Sequence, residues 1–169
     1  MPTVYFAHGK ESGPWGTKIV ALAEVASSKG FEVVSPDYSE LEDPDERIKQ
    51  LLAVYAKSHI ATVLVGSSMG GYVSTVASEI IKPAGLFLMA PAFYIPDYAV
   101  QEPVPFASKT VVVHGWNDYI VPVDNSIRFA RKHRAELHLL DSDHRLNDQI
   151  PMLVYLFANL LNGLERDRL

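Results

Sequence analysis

The chain has 169 residues, 48% hydrophobic and 21% charged, with its 11 prolines and 10 glycines scattered, which excludes a low-complexity or disordered chain and fits one globular domain. A net charge of −5 at neutral pH supplies no overall field for polyanions, so nucleic acid is not an expected partner. The chain has no cysteine, which excludes disulfides, thiolate metal sites and a cysteine nucleophile; with no apolar run near ~18 residues and no signal-like start over Met1 to Ala7, membrane insertion is not expected and a cytoplasmic location is.

The first strand signal, Thr3 to Ala7, runs into His8-Gly9-Lys10-Glu11-Ser12-Gly13. A helical pattern covers Gly16 to Ser28 and is closed by Gly30, before a strand over Phe31 to Ser35. Asp43 and Pro44 read as the N-cap and first residue of a helix running to Lys57. A third strand, Thr62 to Val65, meets Gly66-Ser67-Ser68-Met69-Gly70-Gly71-Tyr72, then a helix over Met69 to Ile81 stopped by Pro83. The strand Gly85 to Met89 precedes a long irregular stretch, 90–108, in which four prolines alternate with Phe93, Tyr94, Tyr98 and Phe106. Stretches this long are often lids, and 90–108 reads equally as a minimal cap or as a rigid crossover. Thr110 to His114 is a fifth strand. Val123 to Lys132 follows as a helix capped by Asp124, its basic end (Arg128, Arg131, Lys132, His133, Arg134) complementing the dipole. Glu136 to Leu140 and Asn147 to Leu161 complete the chain as strand and helix.

The strands are mostly continuous apolar runs, as strands buried on both faces must be, and they alternate with helices throughout. That pattern predicts a single α/β domain over 1–169: a mainly parallel six-stranded sheet between two helical layers. Ligands of such sheets bind beyond the carboxyl ends of the strands, so the residues just after each strand are the candidates for chemistry.

Gly66-x-Ser68-x-Gly70 stands between a strand and a helix, the context in which this pattern exposes a nucleophilic serine on a tight turn. A phosphate-binding loop would need glycine at position 68 or a following Gly-Lys-Ser/Thr, and neither is present. A serine hydroxyl needs a base, and the base needs an acid to orient it. His133 falls on the basic helix end, His138 within the last strand, and His114 before any suitable acid. His144, in the loop after the last strand, is left as the base. Asp118, in Gly115-Trp116-Asn117-Asp118-Tyr119-Ile120-Val121-Pro122, is placed as the acid, with Asp124, Asp141 and Asp143 as rivals. Asp141 and Asp143 share the histidine's own loop and are expected to shape it. The amides of Met69 and Lys10 are the expected oxyanion donors. Trp15, Tyr94, Trp116 and Tyr119 are candidate walls of a substrate pocket. His8 has no companion at metal-ligand spacing, so no metal and no cofactor is expected.

Together, His8-Gly9, the serine turn, the Gly115 to Pro122 segment and the terminal Asp143-His144 resemble the α/β-hydrolase superfamily along nearly the whole chain. The Gly-Ser-Ser-x-Gly-Gly-Tyr turn is similar to that of the small YqiA-like esterases and the retinoblastoma-binding-protein-9 type of serine hydrolase. The resemblance implies a minimal α/β-hydrolase fold lacking the two extra initial strands and the large cap usual in the superfamily. It implies hydrolysis of a small-molecule ester or thioester, of a small or open-ended acyl group, by a Ser-His-Asp triad. A non-catalytic binding protein on the same scaffold, a peptidase and an acyltransferase are the alternatives.

Overall fold

The structure, a computed structural model, describes residues 1–56 and 62–166; the expected end of the second helix at Lys57 lies outside them. Six strands, β1 (Thr3–Ala7), β2 (Glu32–Val34), β3 (Thr62–Ser67), β4 (Gly85–Met89), β5 (Lys109–Gly115) and β6 (Glu136–Leu140), form one sheet in the order β2-β1-β3-β4-β5-β6. Every pairing in it is parallel. Among the described residues the α-helices are α1 (Thr17–Ser28), α2 (Pro44–Tyr55), α3 (Met69–Ile81), α4 (Val123–His133) and α5 (Ile150–Arg166). Among the described residues no helix is long and apolar enough to cross a membrane.

The strand period of two divides the core. Val4 and Phe6 join Val63, Val65, Phe87 and Met89 under α1 and α5, while Tyr5 and Ala7 join Leu64, Leu86 and Leu88 under α2, α3 and α4. Both faces need apolar residues, which is why the central strands read as continuous runs; each fully buried Leu or Phe contributes about 2 kcal/mol. The chain order reverses between β1 and β3, and the crevice at their carboxyl ends is where such sheets place ligands.

Local chemistry sets most helix ends. The Asp43 carboxylate accepts a hydrogen bond from the Asp45 amide at 2.9 Å, with Pro44 behind it, as the sequence leads one to expect. Other boundaries differ, three of them near the site. β3 continues through Gly66 and Ser67, which stay in register with Leu88 and Met89, so the strand runs straight into the turn. α4 is entered through Pro122, and Asp124 sits within its first turn instead of capping it. Asn147–Gln149 winds as a separate 3-10 turn after Leu146, whose backbone is left-handed (φ 57°), so α5 starts only at Ile150 and runs on to Arg166.

The 90–108 segment is tied down along its length. Phe93 stacks on Phe129 at 4.2 Å, Asn125 Nδ2 donates to the Phe93 carbonyl, Val100 N donates to Tyr72 Oη, and Phe106 N to Ser78 Oγ. The basic face of α4 does more than end a helix: Arg128 and Lys132 reach Glu102 at 2.6 and 3.0 Å, and the Arg128 guanidinium lies 3.9 Å from the Tyr94 ring centroid.

Arg47 of α2 is 2% exposed, and no carboxylate among the described residues lies within 4.0 Å of it. Its Nε donates to the Leu41 carbonyl at 2.7 Å and its Nη1 to the His8 carbonyl at 2.9 Å, near the Gly9 carbonyl at 3.4 Å. It therefore pins the loop after β1. Arg47→Met should cost about 2–4 kcal/mol in urea unfolding, because buried carbonyls lose their donor while the apolar stem is largely replaced.

Candidate active site

Ser68 sits between β3 and α3 with φ 53° and ψ −116°, a conformation that L-residues avoid and that aims its side chain out of the turn. Hydrogen bonds on both sides hold it there: its amide donates to the Met89 carbonyl, and its carbonyl accepts from Gly71, Tyr72 and Ala92. The flanking glycines are steric requirements. A Cβ on Gly66 would overlap the Gly70 carbonyl, and one on Gly70 would overlap the Ala7 carbonyl, so α3 could not pass so close to β1 and β3.

His144 lies in the loop between β6 and α5, which Asp143 shapes by accepting the amides of Arg145 and Leu146. Its Nε2 is 3.0 Å from Ser68 Oγ and its Nδ1 is 2.6 Å from Asp118 Oδ2. The structure thus brings the three sequence-predicted residues into one hydrogen-bonded line, drawn from the ends of β3, β5 and β6. The rival carboxylates are occupied elsewhere: Asp141 accepts from Asn117 Nδ2, Asp143 from its own loop, and Asp124 belongs to α4.

Asp118 is the most heavily solicited group of the site. Oδ1 accepts the Ile120 and Val121 amides, each at 2.8 Å, and Oδ2 accepts from His144 and from His114, whose Nε2 is 2.9 Å away. Burial alone would raise its pKa, but the hydrogen bonds from His114, His144, Val121 and Ile120 outweigh it and hold the carboxyl well below the usual carboxylate range. His114 is a residue the sequence reading passed over. It is fully buried, its Nε2 also faces the Val121 carbonyl at 2.9 Å, and its Nδ1 meets Ser126 Oγ at 2.7 Å. Both nearby oxygens at Nε2 are acceptors, so that nitrogen carries the proton and braces Asp118 from behind. The signal available in sequence was its place at the end of a buried strand, one turn before the acid.

Gly115 lets the acid loop and the histidine loop touch, since a Cβ there would overlap the carbonyls of Ser142 and Asp143. Gly115→Ala should move the His144 ring away from Ser68 and slow the reaction of Ser68 with a serine-directed fluorophosphonate by about tenfold or more, because small misplacements of reacting groups are costly. Labelling rates beside a thermal melt would register that loss.

The amides of Met69 and Lys10 donate no hydrogen bond among the described residues, and the backbone of Gly9 approaches so closely that its Cβ position lies 3.4 Å from Ser68 Cβ. Lys10 lines the cleft beside Ser68, and Met69 opens α3 directly behind it. His8 holds this loop from inside: its Nδ1 donates to the Gly9 carbonyl at 2.7 Å and its Nε2 accepts the Tyr38 amide at 2.9 Å. Burial lowers the pKa of His8 and favours that neutral tautomer.

The cleft has a volume of about 590 Å³. The four expected aromatics do not line it. Trp15 and Trp116 are more than half exposed, Tyr119 is 94% exposed, and Tyr94 lies under Arg128. For Tyr119 the reason is the winding of its own loop: the grip of Asp118 on two successive amides buries Val121 at the cleft, leaves Ile120 lining it with 71% of its surface exposed, and puts Tyr119 in solvent. The apolar walls are instead Ile19, Ala92, Ile95, Tyr98, Ile120 and Val121.

Several solved structures share this architecture. A candidate hydrolase of the alpha/beta superfamily from Xanthomonas campestris pv. campestris is 32% identical, with a TM-score of 0.88 over 95% of this chain and 97% of its own. Est1E from Butyrivibrio proteoclasticus is 17% identical, with a TM-score of 0.83 over 98% of this chain and 88% of its own. XC6422 from Xanthomonas campestris, described as an a/b serine hydrolase without lid, is 20% identical, with a TM-score of 0.75 over 98% and 81%. No curated protein matches. Residues 3–102 match the uncharacterised protein family UPF0227, a span that holds Lys10, Ser68 and Met69 and stops short of Asp118 and His144. On that match, and with these neighbours, the chain belongs to the UPF0227 family and has the α/β-hydrolase fold.

Proposed function

We propose that this protein is a serine esterase or thioesterase that works through an acyl-enzyme on Ser68. The observation that carries the reading is the unbroken line Ser68 Oγ, His144 Nε2, His144 Nδ1, Asp118 Oδ2 at 3.0 and 2.6 Å. As Ser68 Oγ attacks the acyl carbon, its proton passes to His144 Nε2, and Asp118 stabilises the imidazolium. The tetrahedral oxygen takes the Met69 and Lys10 amides, each donor worth roughly 10²- to 10³-fold in rate. The leaving alcohol or thiol departs with the proton from His144. Water then attacks the acyl-enzyme, gives its proton to His144, and releases the acid and Ser68.

The 90–108 segment acts in this reading as a fixed wall. It supplies Ala92, Ile95 and Tyr98 to the cleft while its backbone at Phe93, Val100 and Phe106 is bound by side chains of α3 and α4, and a fixed wall suits small or open-ended acyl groups. Fluorophosphonate labelling of the wild type beside Ser68→Ala tests the assignment. Labelling of the wild type alone supports it, equal labelling of both removes Ser68 as nucleophile, and no labelling of either points to a non-catalytic binding protein.

A further inference from the structure

The cleft beside Ser68 contains a charge that the triad does not use. Lys18, in the first turn of α1, lines the cleft and places its Nζ 3.1 Å from the hydroxyl of Ser67, the neighbour of Ser68. Among the described residues no carboxylate lies within 4.0 Å of it. A structural role explains this poorly. An ammonium in the first turn faces the positive end of the helix dipole, and taking it out of water without a partner is unfavourable. Burial draws its pKa down to about 8; Asp143 and Asp118 pull it back up from a distance, and Arg145 opposes them.

The surroundings say which kind of group is missing. The other charged residues on this cleft are Lys10, Arg145 and Glu11, so cations outnumber carboxylates in a chain whose net charge is −5. Beyond Ile95 and Tyr98 an adjoining cleft of about 570 Å³ has the opposite character, with Glu42, Asp43, Asp45 and Asp97 against Lys10, which lines both clefts. Charge is therefore sorted about Ser68, with the basic side at α1 and the His144 loop.

We propose that the ester turned over at Ser68 carries a carboxylate near its scissile carbonyl, bound by Lys18 with Arg145 at the margin of the cleft. The proposal rests on the hydrolase reading and adds the substrate class. A carboxylate would complete the ion pair that Lys18 lacks, and in a partly desolvated cleft such a charge-assisted hydrogen bond is stronger than one in water.

The test compares esters that differ only in that charge: monomethyl glutarate against its 4-carbamoyl analogue for a carboxylate on the acyl side, and 3-acetoxypropionate against its carboxamide for one on the alcohol side. In one of the pairs the wild type should favour the anion by about tenfold or more in kcat/KM. Lys18→Met should bring that ratio close to one, and Lys109→Met, which removes a surface cation paired with Glu136, should leave it unchanged. Lys18→Gln serves if the methionine variant fails to fold. No preference in either wild-type pair, or a preference that survives loss of Lys18, overturns the proposal. In both of those results continued fluorophosphonate labelling of Ser68 leaves the hydrolase reading standing, whereas loss of labelling removes both.

Discussion

Ser68→Ala is expected to lower kcat/KM for any ester by about 10⁴-fold or more while the protein stays folded, because the covalent route is lost and only binding and the oxyanion amides remain. A second substitution at the same position separates chemistry from backbone strain. Ser68→Gly should be equally inactive yet more stable than the wild type by about 1 kcal/mol, since glycine adopts φ 53°, ψ −116° without the penalty that serine carries. Urea unfolding of the three proteins reads this directly. An alanine variant that keeps its activity, or a glycine variant less stable than alanine, would contradict the picture of a strained, exposed nucleophile.

Asp118→Asn carries the second large effect, about 10⁴-fold in kcat, because an amide at Oδ2 no longer accepts the Nδ1 proton and the imidazole is released into the wrong tautomer. Here stability falls as well. Oδ2 faces ring nitrogens of both His144 and His114, and Oδ1 two backbone amides, so no orientation of an asparagine satisfies all of them; the loss should be about 2–4 kcal/mol at neutral pH. The sign of its pH dependence follows from the direction of the pKa. A carboxyl held below its usual range in the folded protein stabilises it above the unfolded value, near 4, and that contribution fades as pH falls below about 4 toward the depressed folded value. The stability gap between wild type and Asp118→Asn should therefore narrow on acidification. Equilibrium unfolding from neutral pH down to about pH 3 would show it, and a gap that widens in acid would rule out Asp118 as the buried acceptor.

The sheet and the serine turn were legible because both are written locally. Short, β-rich continuous apolar runs bounded by turn signals fit strands covered on both faces, and Gly66 and Gly70 stand where a Cβ would strike a neighbouring carbonyl. His144 was found by elimination among four histidines, which works because chain order and loop position are visible in sequence. What was not legible depends on how loops wind and which distant elements meet. Tyr119 and Val121 are two residues apart, yet one backbone turn around a carboxylate sends the first into solvent and buries the second at the cleft. Lys18 reaches Ser67, 49 residues further along the chain and next to Ser68, and nothing in its own stretch of helix distinguishes it from an exposed lysine. His114 looked like the end of a strand; its meaning comes from Asp118, which the loop after β5 folds back onto it, and from Ser126, which the packing of α4 against β5 brings to it.

β6 forms one margin of the sheet and is only partly covered, yet its final residue leads directly into the loop that carries His144. His144 is thus mounted on the least covered margin of the sheet, while β1, β3 and β4 are buried along their whole length. On the proposed mechanism, activity would report the integrity of that rim, and inactivation would not wait for the centre to melt.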